Sequence, residues 1–523
     1  MKKLLASVVG AAGVIAVLTL ASRLMGLVRK LAQSWALSDG LVATAYDTSN
    51  TIPNVLFEVA AGGALAGAVI PLISGFLAKK QRADAEQTVS ALLTWVVAVG
   101  VPLAVTVVAL AGPISGAVLG AGASAQAHEV ATSLLRVFAF QIPLYGISVV
   151  TTGVLQAHGR FVLPALSPLI SSIVVTVAFV VYGAGSTPHA MPSAGELAVL
   201  AWGTTFGVVA FSLPQLVPVM RLVTVRPTFA FPVGVGRRTL RLAGAGLAAL
   251  GAQQVAIIAI MVTTNALGGV GAYAAYNYAY SLYMVPYAVL AVPIATAVFP
   301  RISAAVGCGD REGSQLLVAR STRLVIAAGM LAGSVLIAVA RPAALVISVG
   351  RSIPGIEQAM VAMGVSLVGF SLLYHGARVL YALDAGGRVV RANSLAWVCV
   401  VLVLAVGWLA GVEGRIATLV LVGVAMSVGM CLGAVAQLVA IRSVAGERAI
   451  AGVVRLVALL LPVLVVVTVA AWFASVMLMG VVPGLGGAVV AAVVAGAIVV
   501  AGGGAALLVV DRKAIVALKG KSA

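Results

Sequence analysis

Apolar runs long enough to cross a bilayer recur from one end of this 523-residue chain to the other. A membrane-spanning helix needs about 20 mainly apolar residues. Charged residues make up only 9% of the chain and hydrophobic residues 62%, so the polar surface of a water-soluble domain is missing. The sequence therefore predicts an all-α polytopic membrane protein with no separate soluble domain.

Glycines, prolines and charge clusters divide the apolar sequence into fourteen predicted transmembrane helices. Their centres are expected near residues 18, 56, 100, 142, 172, 208, 252, 286, 328, 368, 400, 428, 463 and 497. The second helix is interrupted by Pro53 and by Gly62 with Gly63, and the eighth by Pro286 and Pro293. Such breaks are tolerated in a bilayer where neighbouring helices or a cavity satisfy the backbone.

The formal net charge of +18 predicts membrane topology rather than nucleic-acid binding, because the basic residues are scattered singly between apolar runs. Alternate loops are basic, for example KKQR at 79–82 and IRSVAGER at 441–448, whereas the loops between them are nearly free of cations. Since basic loops stay in the cytoplasm, both termini are expected there. Residues 1–22 also look like a secretory signal, but the basic helical segment that follows favours a retained first helix.

Two short sequence matches indicate an internal duplication. AVIPLIS at 68–74 matches AVFPRIS at 297–303, and LQAHGRFV at 155–162 matches LDAGGRVV at 383–390, so the two offsets are almost identical. The matches predict two parallel six-helix lobes around a central cavity, an arrangement used by transporters. The expected domains are 1–225 with helices 1–6, 226–445 with helices 7–12, and 446–523 with two C-terminal helices and a basic cytoplasmic tail.

The segment ASRLMGLVRKLAQSWA at 21–36 places an unusual polar arc on the first helix. At about 100° per residue, the arc covers roughly 120° and contains Ser22, Arg23, Gly26, Arg29, Lys30 and Gln33. A cation near the bilayer centre costs about 2.5–3.5 kcal/mol, so this side is expected to face water or an anion. Alternatively, the cations only mark the edge of the membrane, and the long side chain of Arg23 extends to the membrane surface from a helix that ends early.

Other candidate cavity residues lie on the second and eighth helices. The second helix carries Asp47, Asn50, Asn54 and Glu58 on one face, and the eighth helix carries Asn277 and Ser281 within a tyrosine-rich stretch. Asp47 and Glu58 are candidates for proton-linked carboxylates or for structural partners of the cations. The tyrosine stripe favours packing over binding, and Arg378, close to His375, is expected to pair with Asp384.

No motif for catalysis or cofactor binding is apparent. Cys308, Cys399 and Cys431 are far apart, so neither a disulfide nor a metal site is expected. A phosphate-binding loop of the GxxxxGK[ST] type and a nucleophile–base pair are also missing from the sequence. The predictions are therefore a protein that is not an enzyme, without a cofactor, a metal or a nucleic-acid partner.

Four segments resemble the MurJ family, also called MviN, over nearly the whole chain. They are SRLMGLVRK at 22–30, NTIPNVLFEVAAGGALAGAVIPLIS at 50–74, HGRFVLPALSPLISSI at 158–173 and LYMVPYAVLAVPIATAVFPRIS at 282–303. The resemblance implies a flippase of the multidrug/oligosaccharidyl-lipid/polysaccharide exporter superfamily in a bacterial cytoplasmic membrane. Its substrate would be lipid II, the undecaprenyl-pyrophosphate-linked peptidoglycan precursor, moved from the inner to the outer leaflet by alternating access.

The same resemblance implies that Arg23 and Arg29 hold the pyrophosphate and that the last two helices accept the polyprenyl tail. Departures from the family's charge pattern are at Lys30, Thr44, Phe57, Glu58 and Ser281. The alternatives are a flippase for another polyprenyl-linked glycan, a drug/cation antiporter of the same superfamily, or a non-transporting scaffold for cell-wall synthesis. The expected partners are lipid II, the phospholipid bilayer and, as candidates, cell-wall synthesis enzymes.

Overall fold

The structure, a computed structural model, describes residues 2–59, 66–186 and 191–511, with side chains at 17–59, 69–186, 191–237 and 250–511. The described residues form helices joined by turns and loops and contain no β-strand. The all-α prediction is confirmed for this part of the chain. Glycines 62 and 63, one of the predicted helix breaks, lie outside the described residues.

The chain divides into two compact units, Met1–Gln254 (unit 1) and Val255–Ala523 (unit 2). The helices of unit 1 are α1 (Lys2–Leu37), α2 (Leu41–Phe57), α3 (Ala66–Ala78), α4 (Arg82–Ala109), α5 (Ala111–Leu119), α6 (Ala125–Phe138), α7 (Gln141–Ala157), α8 (Val162–Gly185), α9 (Ala194–Ser212) and α10 (Leu216–Leu222). A 3-10 turn at Leu213–Gln215 joins α9 to α10, and the unit boundary falls inside α11 (Val235–Gly268).

The helices of unit 2 after α11 are α12 (Ala272–Pro286), α13 (Val292–Gly307), α14 (Arg311–Ala338), α15 (Ala340–Ile347), α16 (Ile356–Gly364), α17 (Ser366–Ala382), α18 (Gly386–Leu409), α19 (Arg415–Ala445), α20 (Val453–Val481) and α21 (Gly484–Val510). A π-helical segment, Tyr287–Ala291, joins α12 to α13 directly after Pro286. A proline cannot donate the backbone hydrogen bond of a regular helical turn. The helix is therefore interrupted at Pro286, as the sequence predicts.

Eleven stretches of described helix are long and apolar enough to cross a membrane, and the number is twelve if α16 and α17, bent by 52°, form one broken span. Each of the fourteen predicted centres lies inside a helix. The two additional predicted spans correspond to α1 and to the pair α2 and α3, which lie partly outside the residues described in full. A multi-pass membrane protein is confirmed, whereas the count of fourteen stays a prediction.

Helix boundaries confirm the internal duplication. Helices α4 and α14 are both 28 residues long, and helices α8 and α18 are both 24 residues long. Helix α4 starts at Arg82 and α14 at Arg311, which is the same offset as that of the first sequence match. The starts of α2 and α12 are separated by nearly the same length of chain. Helices α12–α19 therefore repeat the series α2–α9, and unit 2 has α20 and α21 in addition.

The second sequence match has the right loop but the wrong register. Arg160 N donates to Leu155 O at the end of α7, and Ala385 N donates to Leu380 O at the end of α17. Aligning these two hydrogen bonds pairs Leu155 with Leu380, whereas the sequence match pairs Leu155 with Leu383. The two alignments differ by slightly less than one helical turn. The helix-ending hydrogen bonds determine the structural equivalence, and the shared letters of the two loops do not.

Close helix contacts in unit 2 depend on glycine. A methyl group added to Gly333 of α14 would come closer than 3.0 Å to the Gly364 carbonyl oxygen of α16, and one added to Gly369 of α17 would come equally close to the Met430 carbonyl oxygen of α19. Small residues allow backbones to approach closely, and in a bilayer such packing drives helix association. The bent pair α16 and α17 is held in this way between α14 and α19.

The predicted terminal helix pair, α20 and α21, packs against α14 within unit 2. Arg323 of α14 fixes it at one end: its Nε donates to Asp511 Oδ2 over 2.6 Å, and its Nη1 donates to the Ala451 carbonyl over 2.7 Å. One arginine thus holds the residue that follows α21 and the turn that precedes α20. The lobe boundaries at 225 and 445 stay a prediction.

Candidate functional site

A polar cavity of about 200 Å³ lies inside unit 1, among α1, α2, α7, α8 and α9. Helix α1 contributes Arg29, Lys30 and Gln33, and α2 contributes Tyr46, Asp47, Asn50 and Asn54. Helices α7 and α9 add the hydroxyl groups of Tyr145 and Thr204, and α8 adds Ser171. The spacing of three or four residues along α1 and α2 places these side chains on one face of each helix.

A hydrogen-bonded chain of three residues crosses the cavity from α1 to α2. Lys30 Nζ donates to Gln33 Oε1 over 2.9 Å, and Gln33 Nε2 donates to Asp47 Oδ1 over 2.9 Å. Lys30 Nζ also lies 3.9 Å from Asp47 Oδ1, within ion-pair distance. Gln33 and Asp47 are buried, and a buried charge needs a partner of opposite sign. The carboxylate of Asp47 therefore balances the charge of Lys30.

Arg29 is the second cation of this cavity, and the carboxylate of Asp47 does not balance its charge. It is half-buried, and no hydrogen bond or ion pair of its guanidinium is found within the described residues. With Arg29 and Lys30 positive and Asp47 negative, the cavity carries a formal charge of one positive unit. An arginine presents five donors in a planar fork that matches the oxygens of a phosphate.

Two hydrogen bonds hold the polar wall on the other side. Tyr145 of α7 donates to Asn54 Oδ1 over 2.9 Å, and the hydroxyl groups of Tyr46 and Thr204 are 3.1 Å apart. These contacts tie α2 to α7 and to α9. The polar face of α2 is thereby fixed from both sides, and the Asn54 side chain is held in place by Tyr145.

The structure brings together six of the predicted site residues and leaves six elsewhere. Those in the cavity wall are Arg29, Lys30, Gln33, Asp47, Asn50 and Asn54. Arg23 is exposed on unit 1, Ser22 and Gly26 are half-buried beside it, and Glu58 is exposed just beyond α2; none of the four lines this cavity. Asn277 and Ser281 belong to unit 2, where the Ser281 hydroxyl donates to the Asn277 carbonyl over 2.7 Å.

Sequence reasoning missed Tyr46, Tyr145, Ser171 and Thr204 of the cavity wall. Each carries one hydroxyl group, and Tyr145 in QIPLYGIS stands inside a long apolar run. Buried hydroxyl groups need partners, so a tyrosine in the middle of a membrane span is a usable signal for a polar site. Which cavity each one lines depends on helix packing, and the sequence alone does not contain it.

At the equivalent positions of the duplicated half, the described side chains are buried instead of lining a polar cavity. Helices α1 and α11 end at Leu37 and Gly268, and α2 and α12 start at Leu41 and Ala272, so one offset aligns both helix pairs. This alignment equates Arg29, Lys30 and Asp47 with Ile260, Met261 and Tyr278. These three residues of unit 2 are all at most 1% exposed. The polar site is thus specific to unit 1, where the same helix pair carries charge in place of an apolar core.

Two further predictions concern α17 and α12. The expected pair of Arg378 and Asp384 does not form, because the Arg378 guanidinium lies 3.6 Å from the centroid of the Tyr374 ring and its Nη2 donates to the Tyr374 hydroxyl. The stripe of tyrosines on α12 packs as predicted: Tyr276 and Tyr283 are buried, and Tyr280 is stacked between them at centroid distances of 5.7 and 5.6 Å.

The duplicated helices and the charged interior cavity define a polytopic membrane protein whose fold is shared with transporters. A solved structure titled as a multidrug resistance MATE family transporter of the MOP superfamily, in an inward-facing conformation, aligns with a TM-score of 0.66 at 15% identity, over 83% of this chain and 99% of that chain. A lipid II flippase MurJ in an inward closed conformation aligns with a TM-score of 0.74 at 15% identity, over 96% of this chain and 99% of that chain.

A family model described as lipid II flippase MurJ matches residues 34–486, so the chain belongs to the MurJ family. The chain is 33% identical over 217 residues to the probable lipid II flippase MurJ of Synechocystis sp., or 40% of each protein. It is 28% identical over 317 residues to the lipid II flippase MurJ of Burkholderia cenocepacia, or 57% of this chain and 58% of that protein. The chain spans about half the length of these curated relatives. Arg29, Lys30 and Gln33 precede the segment that the family model matches.

Proposed function

We propose that this protein transfers lipid II from the inner to the outer leaflet of a bacterial cytoplasmic membrane by alternating access. Membership in the MurJ family supports this function, and one observation on the chain itself carries it. That observation is the unit 1 cavity, in which Arg29 has a charge that Asp47 does not balance. Such a site favours an anion with several oxygens, as a pyrophosphate has.

The size of the cavity indicates which part of a lipid-linked substrate it would hold. Its volume of about 200 Å³ is below the roughly 300–1,000 Å³ of pockets for drug-sized ligands. A glycan with a peptide is too large for it. We therefore assign the cavity to the pyrophosphate alone, with Arg29 as its first ligand. The role of Arg23 stays a prediction from the family resemblance.

We infer that both termini face the cytoplasm, because the basic loops alternate along the chain. Lys79, Lys80 and Arg82, which lie between α3 and the start of α4, are exposed and form one of these loops. In this orientation the substrate enters from the leaflet in which it is made. The enzymes that make the precursor and those that consume it are the expected protein partners.

Transfer of labelled lipid II between leaflets of reconstituted vesicles tests the proposal. We expect Arg29→Ala to abolish transfer, because no other cation lining the cavity lacks a carboxylate partner. Arg82→Ala is the matched control, since this side chain is 77% exposed and pairs with Glu86 at the surface. Wild-type transfer no faster than in empty vesicles, or equal rates for wild type and Arg29→Ala, would refute the proposal.

The same assay separates lipid II from other polyprenyl-linked glycans. A polyprenyl pyrophosphate that carries a glycan without peptide contains the same anionic group. Transfer of this lipid but not of lipid II would leave the pyrophosphate site standing and assign a different substrate. Transfer of neither lipid would favour a non-transporting scaffold.

A further inference from the structure

A second polar cluster lies inside unit 2, where α14 packs against α17. His375 Nε2 lies 3.3 Å from Ser321 Oγ and 3.4 Å from Thr322 Oγ1. His375 is 1% exposed, and its other ring nitrogen, Nδ1, has no hydrogen-bond partner among the described residues. A buried polar atom without a partner costs free energy and needs a specific explanation.

The duplicated half shows that packing does not require these polar groups. The starts of α4 and α14 align Arg82 with Arg311, and the hydrogen bonds that end α7 and α17 align Arg160 with Ala385. On this alignment Ser321, Thr322 and His375 correspond to Leu92, Leu93 and Val150. The three residues of unit 1 belong to one buried apolar core, in which α4 packs against α7. The same helix pair thus folds around aliphatic side chains in one unit and around an ionisable group in the other.

The charged residues nearest His375 along α17 and α14 are arginines. Arg378 lies on the same helix within one turn, held over the Tyr374 ring. On α14, Arg320 and Arg323 flank the Ser321–Thr322 pair, and Arg323 is bonded to Asp511.

The other elements packed against α17 bring no nearby acid. Helices α13, α18 and α19 carry arginines and the thiols of Cys399 and Cys431, and the π-helical segment contributes Tyr287, whose ring packs on Tyr374. The two carboxylates on the packed elements are distant. Glu312 lies nine residues before Ser321, about 13 Å along the helix, and bonds Arg448, while Glu357 lies in the first turn of α16, at the opposite end of the span.

We propose that His375 is a proton-binding site that couples its protonation state to the separation of α14 from α17. In the closed arrangement a second proton would place an imidazolium beside Arg378 in a dry interior, without a carboxylate to balance it. Water reaching the cluster would stabilise the charged ring. Proton binding and opening of the α14–α17 interface therefore favour each other, as linkage requires. Histidine is the side chain suited to this between about pH 5 and 8.

Hydrogen–deuterium exchange of the full-length protein in detergent micelles tests the switch without any substrate. After correction for the intrinsic pH dependence of exchange, we expect α14 and α17 to exchange faster at about pH 5 than at about pH 8 in the wild type. His375→Gln, which keeps a hydrogen-bonding side chain but takes no proton, should lose this difference. His128→Gln removes a histidine from α6 of unit 1 and should retain it. Equal pH dependence in wild type and His375→Gln, or none in the wild type, would overturn the proposal.

A second variant guards against misfolding of His375→Gln. The triple substitution Ser321→Leu, Thr322→Leu and His375→Val copies the side chains that pack at the equivalent positions of unit 1. It is expected to fold and to show no pH dependence of exchange in α14 and α17. A folded triple variant that keeps the wild-type pH dependence would contradict the role of His375.

The use of this proton in the transport cycle rests on the proposed function. One experiment distinguishes failure of the proton site from failure of the flippase function. Lipid II transfer is measured at both pH values in vesicles made from the same preparation. A wild type that transfers no lipid II but shows pH-dependent exchange refutes the flippase alone. A wild type that transfers lipid II with pH-independent exchange refutes the proton site alone.

Discussion

Gln33 Nε2 donates a hydrogen bond of 2.9 Å to Asp47 Oδ1, and thereby joins α1 to α2 inside unit 1. Gln33 is 2% exposed and its other amide atom, Oε1, accepts from Lys30 over 2.9 Å. One uncharged side chain therefore links a cation and an anion across the candidate site. This link and the packing around it have consequences that can be measured.

Gln33→Leu is expected to destabilise the protein by about 1–3 kcal/mol, because the substitution removes the hydrogen bonds that Gln33 makes to the half-buried Lys30 and to the buried Asp47. Thermal unfolding in detergent micelles measures the loss. Gln81→Leu is the control, since Gln81 is exposed and should change stability by less than about 0.5 kcal/mol. Equal melting of Gln33→Leu and wild type would show that the link is not formed.

Lys30 and Asp47 are expected to be energetically coupled. A double-mutant cycle with Lys30→Met and Asp47→Asn should give a coupling free energy of about 0.5–3 kcal/mol, because the pair shares a buried network. The exposed pair Arg448 and Glu312, with side chains 76% and 85% exposed, should give less than about 1 kcal/mol. Additive effects at Lys30 and Asp47 would mean that the two charges do not interact.

Asp47→Asn is also expected to strengthen pyrophosphate binding, because it raises the formal charge of the cavity from one to two positive units. Binding of inorganic pyrophosphate to the detergent-solubilised protein, measured by calorimetry, checks the direction. Its dependence on salt should also steepen, since attraction between charges is screened by salt. Weaker binding by Asp47→Asn would instead assign Asp47 a direct role in holding the ligand.

Arg323→Met is expected to loosen the ends of α20 and α21 that Arg323 holds. The substitution removes the bonds to Asp511 and to the Ala451 carbonyl, and hydrogen bonds to charged groups are worth about 1.5–3 kcal/mol each. Faster hydrogen exchange confined to the end of α21 and the start of α20 is the expected result. Arg442→Met, at an exposed pair with Glu447, should leave exchange there unchanged.

Gly333→Ala is expected to destabilise unit 2 by about 1–3 kcal/mol, because the added methyl group meets the backbone of α16, which cannot move aside as a side chain can. Gly75→Ala is the matched control: no atom lies within 4 Å of its added methyl group, so it should be neutral or stabilising. Thermal unfolding of the two variants compares them. A neutral effect at Gly333 would mean that α14 and α16 are not in close contact.

Several parts of the fold were predictable because their physical cause is local. Each predicted helix centre falls inside a helix, since a bilayer-length apolar run has few alternatives to a helix in a membrane. The helix break after Pro286 could be predicted from the sequence because proline removes a backbone hydrogen-bond donor. The offset of the repeat was readable because α4 and α14 have kept equal length.

The candidate site was predictable only in part. The polar residues of α1 and α2 share helix faces, so Arg29, Lys30, Asp47 and Asn50 could be grouped from spacing alone. Arg23 belongs to the same arc, yet it does not line the cavity. Tyr145 and Thr204 come from α7 and α9, far along the chain, and their approach to α2 depends on packing among five helices.

By itself the sequence determined a polytopic helical protein with a duplicated series of helices and cations on its first helix, because hydrophobic length, periodicity and charge act along the chain. Only the tertiary structure decided that Lys30 is balanced by Asp47 while Arg29 is not, and that His375 lies where the other unit has Val150. These relationships join residues on different helices. They depend on which helix faces meet, and the energy of that choice is shared among contacts that are distant in sequence.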